Sequence, residues 1–178
     1  RGELERVILS GIAGHKRSQQ RIIGPSSLGT PCRRELAYRL MSPESTESPT
    51  TQWRQTVGTA VHEKLERIFS ESASGALTET NVSVGEIYLP GKGMTEIRGT
   101  ADLFYRETVI DFKVPGITSL KNKRKNGPGQ QYRLQSHLYG RGFVRAGHSV
   151  KRVAILALPN SGEWRDRWWW WEPYREDL

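Results

Sequence analysis

From Leu77 to Val114 apolar residues recur at about every second position, and Pro90-Gly91-Lys92-Gly93 interrupts the pattern. A period of two belongs to strands, whose side chains point alternately to opposite faces. A Pro/Gly cluster between two such runs marks a chain reversal. The segment therefore folds as an antiparallel meander, and the rest of the chain has to cover it.

The end of that meander also holds polar residues where a core would not want them. The run Arg98 to Lys113 reads as two strands joined at Arg106-Glu107. With that pair as the turn, Tyr105 faces Thr108, Phe104 faces Val109, and Asp102 faces Asp111. Opposed side chains project to the same side of a sheet, with β-carbons about 4.5–5.5 Å apart. Asp111 and Lys113, two apart on one strand, share that side, while Ile110, Phe112 and Val114 point the other way into the core. Two facing carboxylates repel unless a positive charge sits between them. A divalent cation does so, and hard oxygen ligands suit Mg²⁺ or Mn²⁺. The adjacent lysine can neutralise charge developing on a phosphorane-like transition state. The rival reading is a surface hairpin with a salt-bridged Asp-Lys pair.

Helices surround the meander. Residues 1 to 23 suit a short helix weakened by Gly11 and Gly14, and Cys32 to Met41 suits another. Residues 42 to 51, rich in Ser, Thr, Pro and Glu, form a loop. A helix from about Thr51 to Ser72 has the stripe Val61, Leu65, Phe69, with His62 and Glu66 on an adjoining face; Gly75 ends it. Residues 116 to 130 are basic and Gly/Pro-broken, which suits a loop. A helix over about Gln131 to Ala146 follows, then a buried strand over 151 to 158 and a strand through Trp168 to Trp171. That order describes an α/β or α+β sandwich of sheet and flanking helices.

Composition narrows the partners. There are 27 Lys and Arg against 19 Asp and Glu, a formal charge of +8 and a pI near 9.9. Such an excess favours polyanions, since neutralising phosphates releases condensed counterions. No stretch approaches the roughly 20 apolar residues that span a bilayer, so no membrane role is expected. The segment from Arg1 to Ile12 lacks the regions of a secretory signal, and an opening Arg in place of Met suggests a trimmed fragment. The single cysteine, Cys32, excludes an internal disulfide and any all-cysteine metal site. A cytoplasmic setting is the natural expectation.

Four motifs in order resemble the PD-(D/E)xK nuclease superfamily in its RecB-type branch, which includes CRISPR-associated and phage exonucleases. Gly58-Thr59-Ala60-Val61-His62 is similar to its GTxxH helix, and Gly99-Thr100-Ala101-Asp102 to its GxxD strand. Asp111-Phe112-Lys113 is similar to its D-x-K strand, and Gln135-Ser136-His137-Leu138-Tyr139 to its QxxxY helix. The resemblance covers about residues 26 to 158, leaving 1 to 25 as an N-terminal extension and 159 to 178 as a C-terminal strand and tail of one nuclease domain. It implies an α/β restriction-endonuclease-like core, with a central mixed sheet (the antiparallel meander plus further strands) flanked by helices. It further implies that His62, Asp102, Asp111 and the Phe112 carbonyl ligate one or two Mg²⁺ or Mn²⁺ ions. Asp102, Asp111, Lys113, Gln135 and Tyr139 would be the catalytic set, with Gln135 and Tyr139 positioning substrate or water.

Many relatives carry four cysteines that bind an iron–sulfur cluster. With Cys32 alone that ligation is impossible, so a cluster-free member is expected, with Cys32 a half-buried thiol. His137 and His148 lie off the motif and are expected at the surface, and Glu79 is a further carboxylate candidate from the first strand. Lys121, Lys123, Arg124 and Lys125 would grip DNA phosphates from the loop after the catalytic strand, with Arg33 and Arg34 adding to the field. Alternation places the tryptophans of 168 to 171 two to each side of their strand, so at least one pair packs on the body. The expected activity is a metal-dependent deoxyribonuclease, an exonuclease more than a site-specific endonuclease. Its setting would be recombination, repair or phage DNA metabolism, in a bacterial cell or, if phage-encoded, in its host. The alternatives are a DNA-binding or partner-binding subunit of a DNA-processing complex with little activity of its own, and RNA as substrate.

Overall fold

The computed structural model describes residues 2–13, 23–41 and 49–178. Most of the expected Ser/Thr/Pro/Glu loop, residues 42–48, lies outside them. The order is α1 (Gly2–Ala13), α2 (Pro25–Leu28), α3 (Arg33–Met41), α4 (Pro49–Ser72), β1 (Leu77–Leu89), β2 (Gly93–Tyr105) and β3 (Thr108–Lys113). Then come α5 (Ile117–Asn126), α6 (Gln130–Arg145), β4 (Arg152–Ala157), a 3₁₀ turn (Trp164–Asp166) and β5 (Trp168–Pro173).

The five strands form one mixed sheet in the order β1-β2-β3-β4-β5. β1, β2 and β3 are the antiparallel meander. β4 lies parallel to β3, which requires a crossover, and α5 and α6 supply it. β5 returns antiparallel along β4. The α/β fold expected from the element order is the one observed.

The β2–β3 turn has the anticipated register: Tyr105 pairs with Thr108, Phe104 with Val109 and Leu103 with Ile110. Arg106 and Glu107 take φ of 47° and 57°, the left-handed pair that lets a two-residue turn follow the strand twist. Neither is a glycine, and outside contacts hold the turn instead. Lys151 N–H donates to the Glu107 carbonyl at 2.8 Å, Lys151 Nζ lies 2.6 Å from its carboxylate, and Ser149 Oγ donates to it at 2.8 Å.

Two cores form, one on each face. Phe143 and Tyr139 of α6 pack on Val82, Val84, Ala101, Phe104, Val109 and Val153. Leu65 and Phe69 of α4 cover Leu103, Ile110, Phe112, Ala154 and Leu156 on the other side, so the stripe read on α4 is the face it buries. Close approach on the α6 side needs glycine. A Cβ on Gly142 would meet Val82 Cγ2 at 2.5 Å, and one on Gly99 would meet Pro25 Cδ at 2.5 Å and Tyr139 Cε1 at 3.2 Å. The glycine of the GxxD strand is thus the place where α2 and the tyrosine of α6 lie against β2.

Three expectations change. Residues 117–126 are a helix and not a loop; no breaker occurs before Gly127-Pro128-Gly129, and Leu120, only 1% exposed, anchors it. His137 is buried at 3% exposure, because the C-terminal tail folds over α6: its Nε2 lies 2.6 Å from Glu172 Oε1, and its Nδ1 accepts from Arg175 N–H at 3.2 Å. His148 is half-buried and its ring packs on Phe104 and Phe143. Cys32, by contrast, is exposed.

Candidate active site

Three adjacent strands bring carboxylates into one row. The β2–β3 register, continued one step past Leu103 and Ile110, sets Asp102 opposite Asp111. On the other side, Thr78 pairs with Leu103 and Thr80 with Ala101, so Glu79 stands opposite Asp102. Glu79 has φ 43°, a strained value for a residue with a side chain. The row Glu79–Asp102–Asp111 runs across the sheet where like charges directly opposite are unfavourable.

The three groups are held differently. Asp102 Oδ2 accepts the Phe112 N–H at 2.6 Å, so a side chain takes a place that a ladder bond would fill. Its Oδ1 lies 3.3 Å from His62 Nδ1 of α4. That approach lacks hydrogen-bond alignment, and His62 Nδ1 is buried without a hydrogen-bond partner. The His62 ring stands edge-on to Phe112, with centroids 5.9 Å apart. Ligand atoms of His62, Glu79 and Asp102 all lie within 4.8 Å of one another. One nitrogen and two hard oxygens, with an orphaned buried imidazole nitrogen among them, are a donor set that fits a divalent cation.

Asp111 stands outside that donor group among the described residues. Its Oδ1 accepts from Gln135 Nε2 of α6 at 3.0 Å. Its Oδ2 lies 2.6 Å from Lys113 Nζ, off the hydrogen-bond direction, so the contact is a charge pair. Burial raises the Asp111 carboxyl to about 6; the Asp102 charge adds to the rise, and Lys113 and His62 oppose it. Burial alone would lower Lys113, but the adjoining Asp111 carboxylate, with Asp102 adding its charge, more than offsets it, and the ammonium is held above its usual value. Tyr139 is also held well above its ordinary value, by burial first and then by the Asp111 and Asp102 charges. Asp111, Lys113, Gln135 and Tyr139 therefore form one buried cluster on the α6 side, and His62, Glu79 and Asp102 a second group beside it.

The cations of the basic run have different surroundings. Lys121 and Lys125 of α5 are exposed. Arg124 donates to the carbonyls of Asp166 and Arg167, which ties α5 to the segment before β5. Lys123 Nζ sits 3.9 Å from the Tyr132 ring centroid, and Lys113 Nζ is 5.0 Å from the same centroid. Partial burial lowers Lys123, and the Lys113 charge lowers it further. Arg33 and Arg34 are exposed on α3. Tyr132 escaped the sequence reading, although it lies one helical step from Gln135.

No protein-family model and no curated protein matches the chain. Its fold is similar to that in the crystal structure of SSO0001, with TM-score 0.60 and 20% identity over 96% of this chain and 74% of that one. It is also similar to an alkaline exonuclease, LHK-Exo, from Laribacter hongkongensis, with TM-score 0.58 and 11% identity over 88% of this chain and 79% of that one. At such identities the likeness is one of fold.

Proposed function

We propose that this chain is a metal-dependent deoxyribonuclease of the RecB-type branch, acting from DNA ends. The observation that supports it most is the carboxylate row Glu79–Asp102–Asp111, with the unpartnered His62 Nδ1 at one side and Lys113 at the other. Two buried carboxylates and a half-buried third in one row have no structural use that apolar residues would not serve better, while a divalent cation relieves their repulsion. The fold likeness to a protein named as an alkaline exonuclease supports the same reading.

His62, Glu79 and Asp102 would hold Mg²⁺ or Mn²⁺, and the family resemblance adds Asp111 and the Phe112 carbonyl as further ligands. The cation, when bound, supplies Lewis acidity toward a phosphate oxygen and makes a nearby water a stronger nucleophile. Lys113, kept charged by Asp111, offers an ammonium to a phosphate oxygen gaining charge during attack. Gln135 fixes the orientation of Asp111 through its amide. Tyr139, held protonated, keeps an O–H donor beside the carboxylates. Lys123, which shares the Tyr132 ring with Lys113, would meet a phosphate near the site, and Lys121 and Lys125 would add to the field along the DNA backbone.

End-labelled linear, circular and single-stranded DNA should be digested with Mg²⁺, Mn²⁺ or EDTA, with wild type beside Asp111→Ala and Lys113→Ala. Linear DNA should be cut from its ends with metal only, and neither variant should cut above background. Activity that survives EDTA and both substitutions sinks the proposal. Equal cutting of circles removes the exonuclease part alone. DNA that is bound but never cut points to a binding subunit instead.

A further inference from the structure

The four tryptophans at the C-terminal edge divide unequally. Trp168 and Trp170 are half-buried, and Trp170 packs on the core beneath α6. Trp169 and Trp171 are 51% and 55% exposed, and Trp164, just before the strand, is 64% exposed. Trp169 pairs with Leu156 and Trp171 with Ala154, so both project from the α4 face, beyond the core that Leu156 and Ala154 enter. Three large indoles in water at one edge are a liability for a chain with no use for them.

The charges beside them say what they suit. The Arg152 guanidinium lies 5.9 Å from the Trp171 ring centroid, and that of Arg167 lies 4.8 Å from the Trp164 centroid. Arg152 lies in the field of the Glu107 carboxylate, which Lys151 pairs directly, and among the described residues neither arginine makes a close ion pair of its own. A flat guanidinium on an indole face offers one surface to a base ring and donors to a phosphate. Residues two apart on a strand stand about 7 Å apart, close to two stacking intervals of about 3.4 Å, so a base ring fits between Trp169 and Trp171. An acidic or apolar protein surface would satisfy the arginines or the indoles, but an extended nucleic-acid strand satisfies both.

Lys113 pairs with Ala157, and Ala157 with Trp168, so the strand that carries the ledge starts at the same end of the sheet as Lys113. The ledge itself stands on the opposite face, since Trp169 and Trp171 turn to the α4 side and Trp168 to the α6 side.

We propose that Trp169 and Trp171, with Arg152, Arg167 and Trp164, form a stacking ledge that holds a single-stranded stretch of DNA along the α4 face of the β5 edge. The ledge deepens the nuclease reading and rests on it for its substrate. The test is anisotropy of a labelled twelve-nucleotide oligothymidylate in EDTA, where cutting plays no part. Wild type is compared with Trp169→Ala/Trp171→Ala and with Arg152→Ala, and an abasic strand of equal length serves as second probe. Losing the base stacked between the two indoles should raise Kd at least about 5-fold in the double variant, and wild type should bind the abasic strand about as weakly. All these side chains are exposed, so circular dichroism should show each variant folded.

Binding of oligothymidylate by the double variant within about 3-fold of wild type overturns the ledge. Equal affinity of wild type for the abasic strand does the same. If sedimentation shows a wild-type dimer that the double variant dissolves, with DNA affinity unchanged, the edge is an interface between copies. Hydrolysis of bis(p-nitrophenyl) phosphate with Mn²⁺ separates the two readings, since that ester has no base. Its cleavage with no ledge effect removes only the ledge. Base-dependent binding without cleavage removes only the nuclease.

Discussion

Asp111 offers a perturbation whose size follows from its surroundings. Its carboxyl is 2% exposed and raised from 3.8 to about 6. The folded protein therefore binds the Asp111 proton more tightly than the unfolded chain, and stability falls as pH rises through that interval. The contribution is fully present below about pH 4 and gone above about pH 7. A shift of about two pH units, at about 1.4 kcal/mol each, gives about 3 kcal/mol. Asp111→Asn keeps the size of the side chain and an oxygen for Gln135, and it removes the titration. Urea unfolding in EDTA at intervals from pH 4 to 8 should show wild type losing about 3 kcal/mol relative to the variant as pH rises. With Mn²⁺ the wild-type loss should shrink, because the cation favours the ionised row. Parallel pH profiles for the two proteins would refute the account of Asp111 as a buried carboxyl in a row of like charges.

Glu79→Gln should weaken Mn²⁺ binding at least about 10-fold by calorimetry, the scale on which partners of a metal site act; an unchanged Kd removes Glu79 from the donor set. Tyr132→Leu should lower kcat about 3- to 30-fold, the range of a cation–ring contact of about 0.5–2 kcal/mol. Tyr132→Phe should keep the rate, and equal effects of the two would assign the role to the hydroxyl. Gly142→Ala drives a Cβ to 2.5 Å from Val82 Cγ2, so chemical denaturation should show a loss of about 1–3 kcal/mol; a neutral result would mean that α6 and β1 separate easily.

The register of the β2–β3 hairpin as far as Leu103↔Ile110 was legible because a two-residue turn at Arg106-Glu107 leaves no freedom in the pairs behind it, and its continuation brings Asp102 toward Asp111. The same reasoning fails one strand earlier. From the Pro90–Gly93 turn, regular pairing runs from Leu89↔Gly93 to Gly85↔Ile97, and at that register Thr80 would oppose Asp102. An extra residue between Ser83 and Gly85 shifts the ladder and turns Glu79 toward Asp102. A bulge is a local event without a periodic signature, which is why Glu79 was no more than a candidate. α5 was hidden by the Gly and Pro that end it, and the burial of His137 by a tail 35 residues away. The basic run was visible as charge, but the bond from Arg124 to the segment before β5 depends on the tertiary fold alone.

A cation bound where β1, β2 and β3 align their carboxylates is what the proposed chemistry requires. Diffraction from crystals grown with Mn²⁺, read for anomalous scattering, locates that ion without reference to activity. An ion within about 2.0–2.6 Å of a His62 ring nitrogen and of carboxylate oxygens from Glu79 or Asp102 is the expected result. A protein that cuts DNA with Mn²⁺ while the ion sits elsewhere, or nowhere on the row, would contradict it.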